Sequence, residues 1–588
     1  MKKLKYIFLI CFAALMSCED YLEKEPYNIL TDEKVWQNEK LVEGVIANLY
    51  DRMPTSPFSE FAMQSTDEAM WSGSGDSQNR VNSIPTGWYT YYDYGYIRDI
   101  NLFIEKAMES GLKNKEQFIA EARFIRAFVY FEKVKRMGGV PLITKTYTYG
   151  GPDNIDELRM SRAKESEIYD FIYSELEDIK GKLTEDKNPA RATKWAAIAL
   201  EARAMIYAGS IAKYNAQMSQ PVALQGDVIG ISQGKANDYY GKALAAVEAL
   251  NGQFDLEADY YSIFSNKNKT EVIYAVDYKN PNKRHSFTYQ NSTPSAKEDN
   301  AEGSHITPYL EMVESYEKLD GTSGNIETQD ADGNWILFEK PEDVFANRDK
   351  RLASTILYAN QMFRNSRVSV QAGQVVYNET TKEYDVVTGG LGEADSKGRL
   401  ITGWDGPSEN LQYISNTGFY LKKYVSESPG AGQRSTLADN WYPVFRYAEM
   451  LLIGAEAALE TGNQEKAKAF INRVRERAGF KANSLSNVTL NDIVKERKVE
   501  MAFEGHRYFD LKRWRKAEDV LSGKAYHSLY GFLVVHPGSE KDGKYIYKKL
   551  EAPRLFNSKK KFEWRNYYSA MPQNALDRNP KLIKNPGH

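Results

Sequence analysis

The chain has 588 residues and carries 80 acidic against 77 basic side chains, a formal net charge of −3. That balance lacks the basic footprint that nucleic-acid binding requires, and beyond the amino-terminal stretch no apolar run approaches the length of about 18 residues that marks a membrane-spanning helix. The length exceeds what one compact core usually serves, so subdomains or an elongated array are expected.

Met1 to Ser17 reads as an export signal: Lys2, Lys3 and Lys5 precede an unbroken apolar run from Tyr6 to Met16, too short to span a bilayer. Leu15-Met16-Ser17-Cys18 resembles a bacterial lipobox, so Cys18 is expected to carry a lipid anchor. The other cysteine, Cys11, lies inside the signal. Cys18 would then be the lone thiol of the processed chain, which is odd in an oxidising compartment unless it is lipidated. Two or three acyl chains hold a protein stably where one is marginal.

Thr31 or Asp32 is expected to cap a first helix carrying Val35, Trp36, Leu41, Val42, Val45, Ile46 and Leu49 at helical spacing. Asp67 to Tyr96 then reads mostly as loop, with Trp71, Trp88, Tyr89, Tyr91 and Tyr92 interleaved with Asp67, Glu68, Asp76, Asn79 and Arg80. Aromatic faces stack on the apolar surfaces of sugar rings, and carboxylates and guanidinium groups hydrogen-bond hydroxyl pairs. Asp67, Trp71, Arg80, Trp88 and Tyr89 are the ligand candidates here. Tyr94 and Tyr96 read as packing anchors, because Tyr94, Ile97, Asn101 and Ile104 continue a helical stripe. Forty tyrosines against 25 Phe and 9 Trp fit a surface that grips amphipathic ligands.

Helical periodicity resumes at Phe118 to Met137, Glu165 to Leu183, Thr193 to Ala212 and Tyr239 to Leu250. None of these can bury its apolar face alone, so a solenoid-like array of helix pairs is expected. Val272 to Val276 alternates as a strand. Residues 279–440 are rich in Gly, Asn, Ser, Thr and Asp; so long a stretch reads as a subdomain of loops, short helices and short strands rather than a linker. Tyr289, Trp335 and Trp404 are its candidates for a second ligand wall, Trp404 in the exposed turn Gly403 to Pro407. Asn347-Arg348-Asp349 reads as turn and ion-pair chemistry.

Arg446 to Trp514 holds two helices joined at Gly462, which can supply the positive φ that closes the first. Small residues (Gly454, Ala455, Ala458, Ala467) alternate with Leu451 and Ile471, resembling a tetratricopeptide helix pair. A third helix, expected over Leu490 to Phe503, carries Glu496, Arg497, Glu500 and Glu504, followed by His506, Arg507 and Asp510. Charges of both signs at this density read as a buried ion-pair network, in preference to an active site built on Glu and His. Residues 521–588 read as mostly irregular.

The run ERKVEMAFEGHRYFDLKRW, with RYAEMLLIGAEA and INRVRERAG upstream, resembles the carboxy-terminal signature of the SusD/RagB family of nutrient-binding outer-membrane lipoproteins. EARFIRAFVYFEKVKRMGGVPLI, PYLEMVESYEKLDG, FANRDKRLASTI, GFYLKKYV and the Met571-Pro572-Gln573-Asn574 ending resemble it in the same order, as does the Cys18-Glu19-Asp20 start, whose acidic pair resembles a surface-export signal. The resemblance implies a lipid-anchored protein on the outer face of the outer membrane. It also implies an oligosaccharide or polysaccharide ligand and a SusC-like TonB-dependent β-barrel partner.

The expected architecture is mainly α: a tetratricopeptide-like helix-pair array with an irregular loop-rich subdomain containing short strands. Its expected divisions are a signal (1–17), an amino-terminal helical part (18–270) with the ligand loop 65–96, the loop and short-strand subdomain (271–440), and a carboxy-terminal helical part with its tail (441–588). The six histidines form no HExxH or zinc pattern, and neither a phosphate-binding Gly loop nor GxSxG is present. A non-catalytic glycan binder is therefore expected, with no cofactor; Asp320, Asp330 and Asp332 lack EF-hand spacing. The alternatives are an all-helical glycosidase, whose two carboxyls sequence cannot place, and a scaffold or adhesin that binds no sugar.

Overall fold

A computed structural model describes residues 32–75, 84–85, 87–151, 154–267, 270–299, 302–408, 412–553 and 560–588. Cys18 and Arg80 lie outside the described residues. The expected first helix is split: Asp32–Val35 forms one turn, and helix α1 (Glu39–Asp51) begins afresh after Asn38, whose side chain accepts the Lys40 N–H at 3.0 Å. An Asn that can bond its own following backbone ends one helix and caps the next.

Helices α2 (Glu60–Gln64), α3 (Tyr94–Glu109), α4 (Lys115–Met137), α5 (Glu165–Ile179), α6 (Lys194–Asn215) and α7 (Ala236–Ala249) follow. Packing runs in sequence, α3 on α4, α4 on α5, α5 on α6 and α6 on α7. Strand β1 (Ala69–Trp71) lies between α2 and α3; β2 (Val272–Val276), β3 (Ile306–Pro308), β4 (Gln371–Asn378), β5 (Glu383–Val387) and β6 (Tyr442–Arg446) come after α7. The array then resumes with α8 (Tyr447–Glu460), α9 (Gln464–Arg477), α10 (Leu490–Glu500) and α11 (Arg507–Arg513), with α8 seated directly on α7 and α6. Antiparallel pairing of β2 with β6 brings the chain back beside the point where it left the array.

Close approach explains why the two ends can join. A methyl at Gly209 of α6 would stand 2.9 Å from the Tyr240 ring of α7, and one at Gly454 of α8 would meet Val247 at 2.9 Å and Phe470 at 3.1 Å. Alanine is the most frequent residue of α6, which is buried on nearly every side. Gly462 adopts φ +79° at the α8–α9 turn, and Asn463 caps α9.

The region between β2 and β6 is loop-rich with short strands. Its main sheet has the order β8 (Tyr545–Glu551), β7 (His527–Val535), β4, β5. The β7–β4 pair is parallel, while the two outer pairs are antiparallel. Residues 527–551, read above as irregular, are thus a β-hairpin that anchors the tail to the middle of the chain. The signal was present in Leu529, Tyr530, Phe532, Leu533, Val534 and Val535 followed by Gly538 and Gly543.

The charged run of α10 and α11 is a buried ion network. Glu500, with no exposed surface, accepts from Arg351 at 2.7 Å and from Arg446 and Arg477 at 2.5 Å. Glu496 takes Arg351 and Arg475, and Glu504 takes Arg446 and Lys423. This network also shortens the third helix, which ends at Glu500 instead of Phe503. The Glu500 carbonyl accepts from Arg446 Nη2 and the Tyr260 hydroxyl, both at 2.6 Å; the Ala502 carbonyl accepts from Lys423, and the Phe503 N–H donates to Glu68. With its backbone groups claimed by side chains from elsewhere, the last turn cannot continue as helix.

Candidate functional site

β1 pairs antiparallel with β3, opposing Trp71 to Ile306, so that Trp71 lies beside His305. The Ser72 N–H donates to the His305 carbonyl at 2.7 Å, and the indole sits 4.5 Å from the imidazole, tilted by 51°. The strap after Trp71 folds back under it: Nε1 donates to the Ser74 carbonyl at 3.1 Å, and a methyl on Gly73 would stand 2.5 Å from the ring. Tyr413 joins from the other side. Its N–H donates to the Ser72 carbonyl at 2.8 Å, and its ring lies 5.9 Å from His305. Trp71 and Tyr413 are half-buried, His305 is buried between them, and the three rings form a row.

Charged groups line this row. His305 Nδ1 is 3.2 Å from Glu60, and Nε2 is 3.6 Å from Glu302. Glu302 also pairs with Arg434 at 3.3 Å; the exposed Arg434 lies over the ring of Tyr289 and donates from Nε to its hydroxyl at 2.5 Å. Two sequence candidates from distant segments, Trp71 and Tyr289, are thus linked through His305, Glu302 and Arg434. An open depression of about 400 Å³, bordered by Phe58, Glu60, Arg284 and Gln290, adjoins the row through Glu60. Aromatic faces beside carboxylates and a guanidinium suit a polyhydroxylated ligand, stacked on its apolar faces and hydrogen-bonded at its hydroxyls. Sequence reasoning missed His305, Tyr413, Glu60, Glu302 and Arg434, which are single polar or aromatic residues in separate loops.

The other candidates lie elsewhere. Asp67 is 6 % exposed, and both its oxygens are engaged, by Arg507 at 2.8 and 2.9 Å and by Lys498 at 2.9 Å. Burial alone would raise its pKa; the charges of Arg507 and Lys498 outweigh that and hold the carboxyl well below the usual range. It is an internal ion pair in place of a ligand contact. Trp88 packs edge-on against Phe61 at 4.2 Å; Tyr89, at φ +63°, stacks on Tyr508 at 4.4 Å and shares a 2.7 Å hydrogen bond with Ser65. Tyr91, Tyr92 and Tyr94 surround the Lys133 ammonium at 4.6, 5.6 and 4.4 Å, so this part of the tyrosine string holds a buried cation. Trp335 packs against Tyr384 on the four-stranded sheet, 5.0 Å between centroids. Trp404 is 59 % exposed, its inner face on the backbone of Gly392. Among the described residues no group of His, Cys, Asp and Glu could hold a metal ion; Asp320 and Asp330 accept N–H groups of their own turns.

Glu68, next to Asp67, behaves in the opposite sense. Burial, then the Asp67 charge, pushes it up to about 7, against the N–H of Phe503. A carboxyl whose folded pKa lies above its unfolded value loses stability for the fold as pH rises between the two. A tenfold difference in proton affinity between the folded and unfolded states corresponds to about 1.4 kcal/mol. Glu68→Gln is therefore expected to gain on the order of 3 kcal/mol relative to the unsubstituted chain between pH 4.5 and pH 7. Urea denaturation of both proteins at several pH values measures it; parallel curves would refute the assignment.

Comparison with known proteins agrees with this architecture. A SusD-like protein of Formosa agariphila is 24% identical over 89% of this chain and 94% of its own length. A SusD-like protein of Bacteroides fragilis has a crystal structure that superposes with a TM-score of 0.68, at 22% identity over 96% of this chain and all of that one. A second structure from the same species, described as a SusD-like carbohydrate binding protein, gives 0.64 at 21% identity over 93% of this chain and all of that one. The amino-terminal part matches a family model described as starch-binding associating with outer membrane, over residues 20–206. The SusD family model itself matches residues 270–588, more than half of the chain, and the protein therefore belongs to the SusD family.

Proposed function

We propose that this chain is a non-catalytic glycan-binding lipoprotein. It would be anchored through Cys18 to the outer face of the outer membrane and pass captured oligosaccharide to a SusC-like TonB-dependent transporter. The observation that carries the binding step is the row of Trp71, His305 and Tyr413 with Glu60, Glu302 and Arg434 along it. The similarity to a Bacteroides fragilis structure described as carbohydrate binding supports the ligand class, and the lipobox-like Leu15 to Cys18 supports the anchor. Family membership supports the transporter partner. The glycosidase alternative is weakened by the carboxylates of the strongest helices, because Glu449, Glu456, Glu496, Glu500 and Glu504 are each paired with arginine inside the array.

The test uses the soluble chain lacking residues 1–18 in affinity electrophoresis and calorimetry against a polysaccharide panel. Binding of at least one glycan, with no release of reducing ends, is the expected result. Reducing-sugar release would replace the binder by a glycosidase, and silence across a broad panel would favour the scaffold.

A further inference from the structure

A cavity of about 320 Å³ opens at a place none of the row's rings reaches. Its floor is α4, α6 and the start of α11; its mouth is the Pro54–Ser59 loop and the Tyr89–Tyr91 turn, where Thr55, Ser56 and Ser59 contribute hydroxyls. Lys135 and Arg136 of α4, Arg203 of α6 and His506 line the inner wall, together with Glu132 and Glu504.

Glu132 serves both Lys135 and Arg136; Arg203 is paired with Glu449; and the Glu504 carboxylate is taken by Arg446 and Lys423. Arg136 and Arg203 thus each keep one carboxylate partner, Glu132 and Glu449. Hydrogen-bond donors are left over in this wall. Among the described residues, Nε and Nη2 of Arg136 and Nη1 of Arg203 have no acceptor, and neither ring nitrogen of His506 makes a hydrogen bond, Nδ1 standing 3.9 Å from Glu449. Both titrating groups of the wall are shifted toward their neutral forms. Burial, and then the charges of Arg136 and Arg203, bring Lys135 down to about 7 against the pull of Glu132. Burial, and then Arg203, Arg497, Lys135 and Arg446, hold His506 well below its usual range.

A cavity with unused guanidinium donors on Arg136 and Arg203, flanking tyrosine and phenylalanine rings and a hydroxyl-lined mouth is a site for a hydroxylated anion. Its volume sits at the low end for ligand pockets, enough for one sugar ring and too small for a chain. We propose that this cavity is a second ligand site, separate from the Trp71 row, that takes a single acidic sugar. The carboxylate or sulfate would lie against Arg136 and Arg203, with the sugar ring against the paired rings of Tyr89 and Phe509, which touch edge to face at 5.4 Å.

Calorimetry on the soluble chain lacking residues 1–18 tests this with glucuronate, galacturonate, glucose 6-sulfate, glucose and inorganic sulfate. At least one acidic sugar should bind tenfold or more tighter than glucose. Comparing the uronates with the sulfated sugar identifies the anionic group. Arg136→Gln should weaken that binding at least tenfold. Because Arg136 also pairs with Glu132, the test is repeated with Thr55→Trp, which leaves the charges intact and narrows the mouth; it should weaken binding by a similar factor. Trp71→Ala should leave it within twofold, which separates this site from the row. Equal affinity for glucose, no binding of any acidic sugar, or full binding by the folded Thr55→Trp protein would overturn the proposal. So would inorganic sulfate binding as tightly as the sugars, which would reduce the cavity to an adventitious ion site.

Discussion

Glutamine in place of Glu500 is expected to destabilise the folded chain by about 3–5 kcal/mol. The substitution keeps the shape of the side chain and removes only its charge. Three buried guanidinium groups, those of Arg351, Arg446 and Arg477, converge on this one carboxylate. Removing one partner of a buried pair leaves the other charge desolvated and uncompensated, and here three charges lose their common partner. The fold is held by only about 5–15 kcal/mol in total, so the loss is a large fraction of it. The effect depends on pH. Burial alone would raise the Glu500 pKa, but the charges of Arg477, Arg446 and Arg351 hold it well below the usual carboxylate range. A carboxyl depressed in the folded state contributes its full stability above the unfolded pKa, about 4.3, and loses it as pH falls toward the folded value. The cost of Glu500→Gln should therefore be greatest near neutral pH and shrink below about pH 4. Guanidinium denaturation at pH 7 and pH 3.5 measures it. Glu339→Gln is the control, since its pair with Lys544 leaves the glutamate side chain 73% exposed and such pairs contribute about 0–1 kcal/mol. Equal effects of the two substitutions would refute the network account.

Helix periodicity and small residues made the array legible. Ala455, Ala458 and Gly454 on one helix, Ala467 on the next and Gly462 between them report a close-packed pair without any knowledge of the fold. The density of opposite charges around Glu496, Glu500 and Arg497 reported burial in ion pairs for the same kind of reason: each residue type carries its own demand for a partner. Non-local pairing was less legible. His527 to Val535 joins Gln371 to Asn378 in a parallel ladder, and nothing within either segment names the other. The site divides along this line. Trp71 and Tyr289 are exposed to inference because aromatic residues in polar loops are conspicuous. His305 and Tyr413 are placed by the β1–β3 register and by the Tyr413–Ser72 hydrogen bond, geometry that exists only after the chain has folded. Asp67 shows the converse. A carboxylate in an aromatic loop looks like a ligand contact until Arg507, 440 residues away, is found against it.

Alanine at Trp71 is expected to lower affinity for the bound glycan about 10- to 150-fold, the loss of about 1.5–3 kcal/mol that a large apolar face contributes when a ligand covers it. The indole is half-buried and is held in place before any ligand arrives, by its Nε1 bond to the Ser74 carbonyl and by the absence of a side chain at Gly73. Little ordering entropy then remains to be lost on binding, so the effect of truncation should lie mainly in the dissociation rate. Trp335→Ala and Trp404→Ala serve as comparisons. Trp335 is packed against Tyr384 on the sheet, and Trp404 stands on the Gly392 turn; neither ring contacts Trp71, His305 or Tyr413 among the described residues. Their affinities should stay within twofold. Calorimetry on the three variants with whichever polysaccharide the panel identifies settles which aromatic wall is used. A tenfold loss in Trp404→Ala with none in Trp71→Ala would move the site to the exposed turn of the loop-rich region. Gly73→Val adds a test of the preorganised indole. The ring would have to leave its seat, because even a methyl at that position would stand 2.5 Å from it; affinity should then fall nearly as far as in Trp71→Ala although the tryptophan is still present.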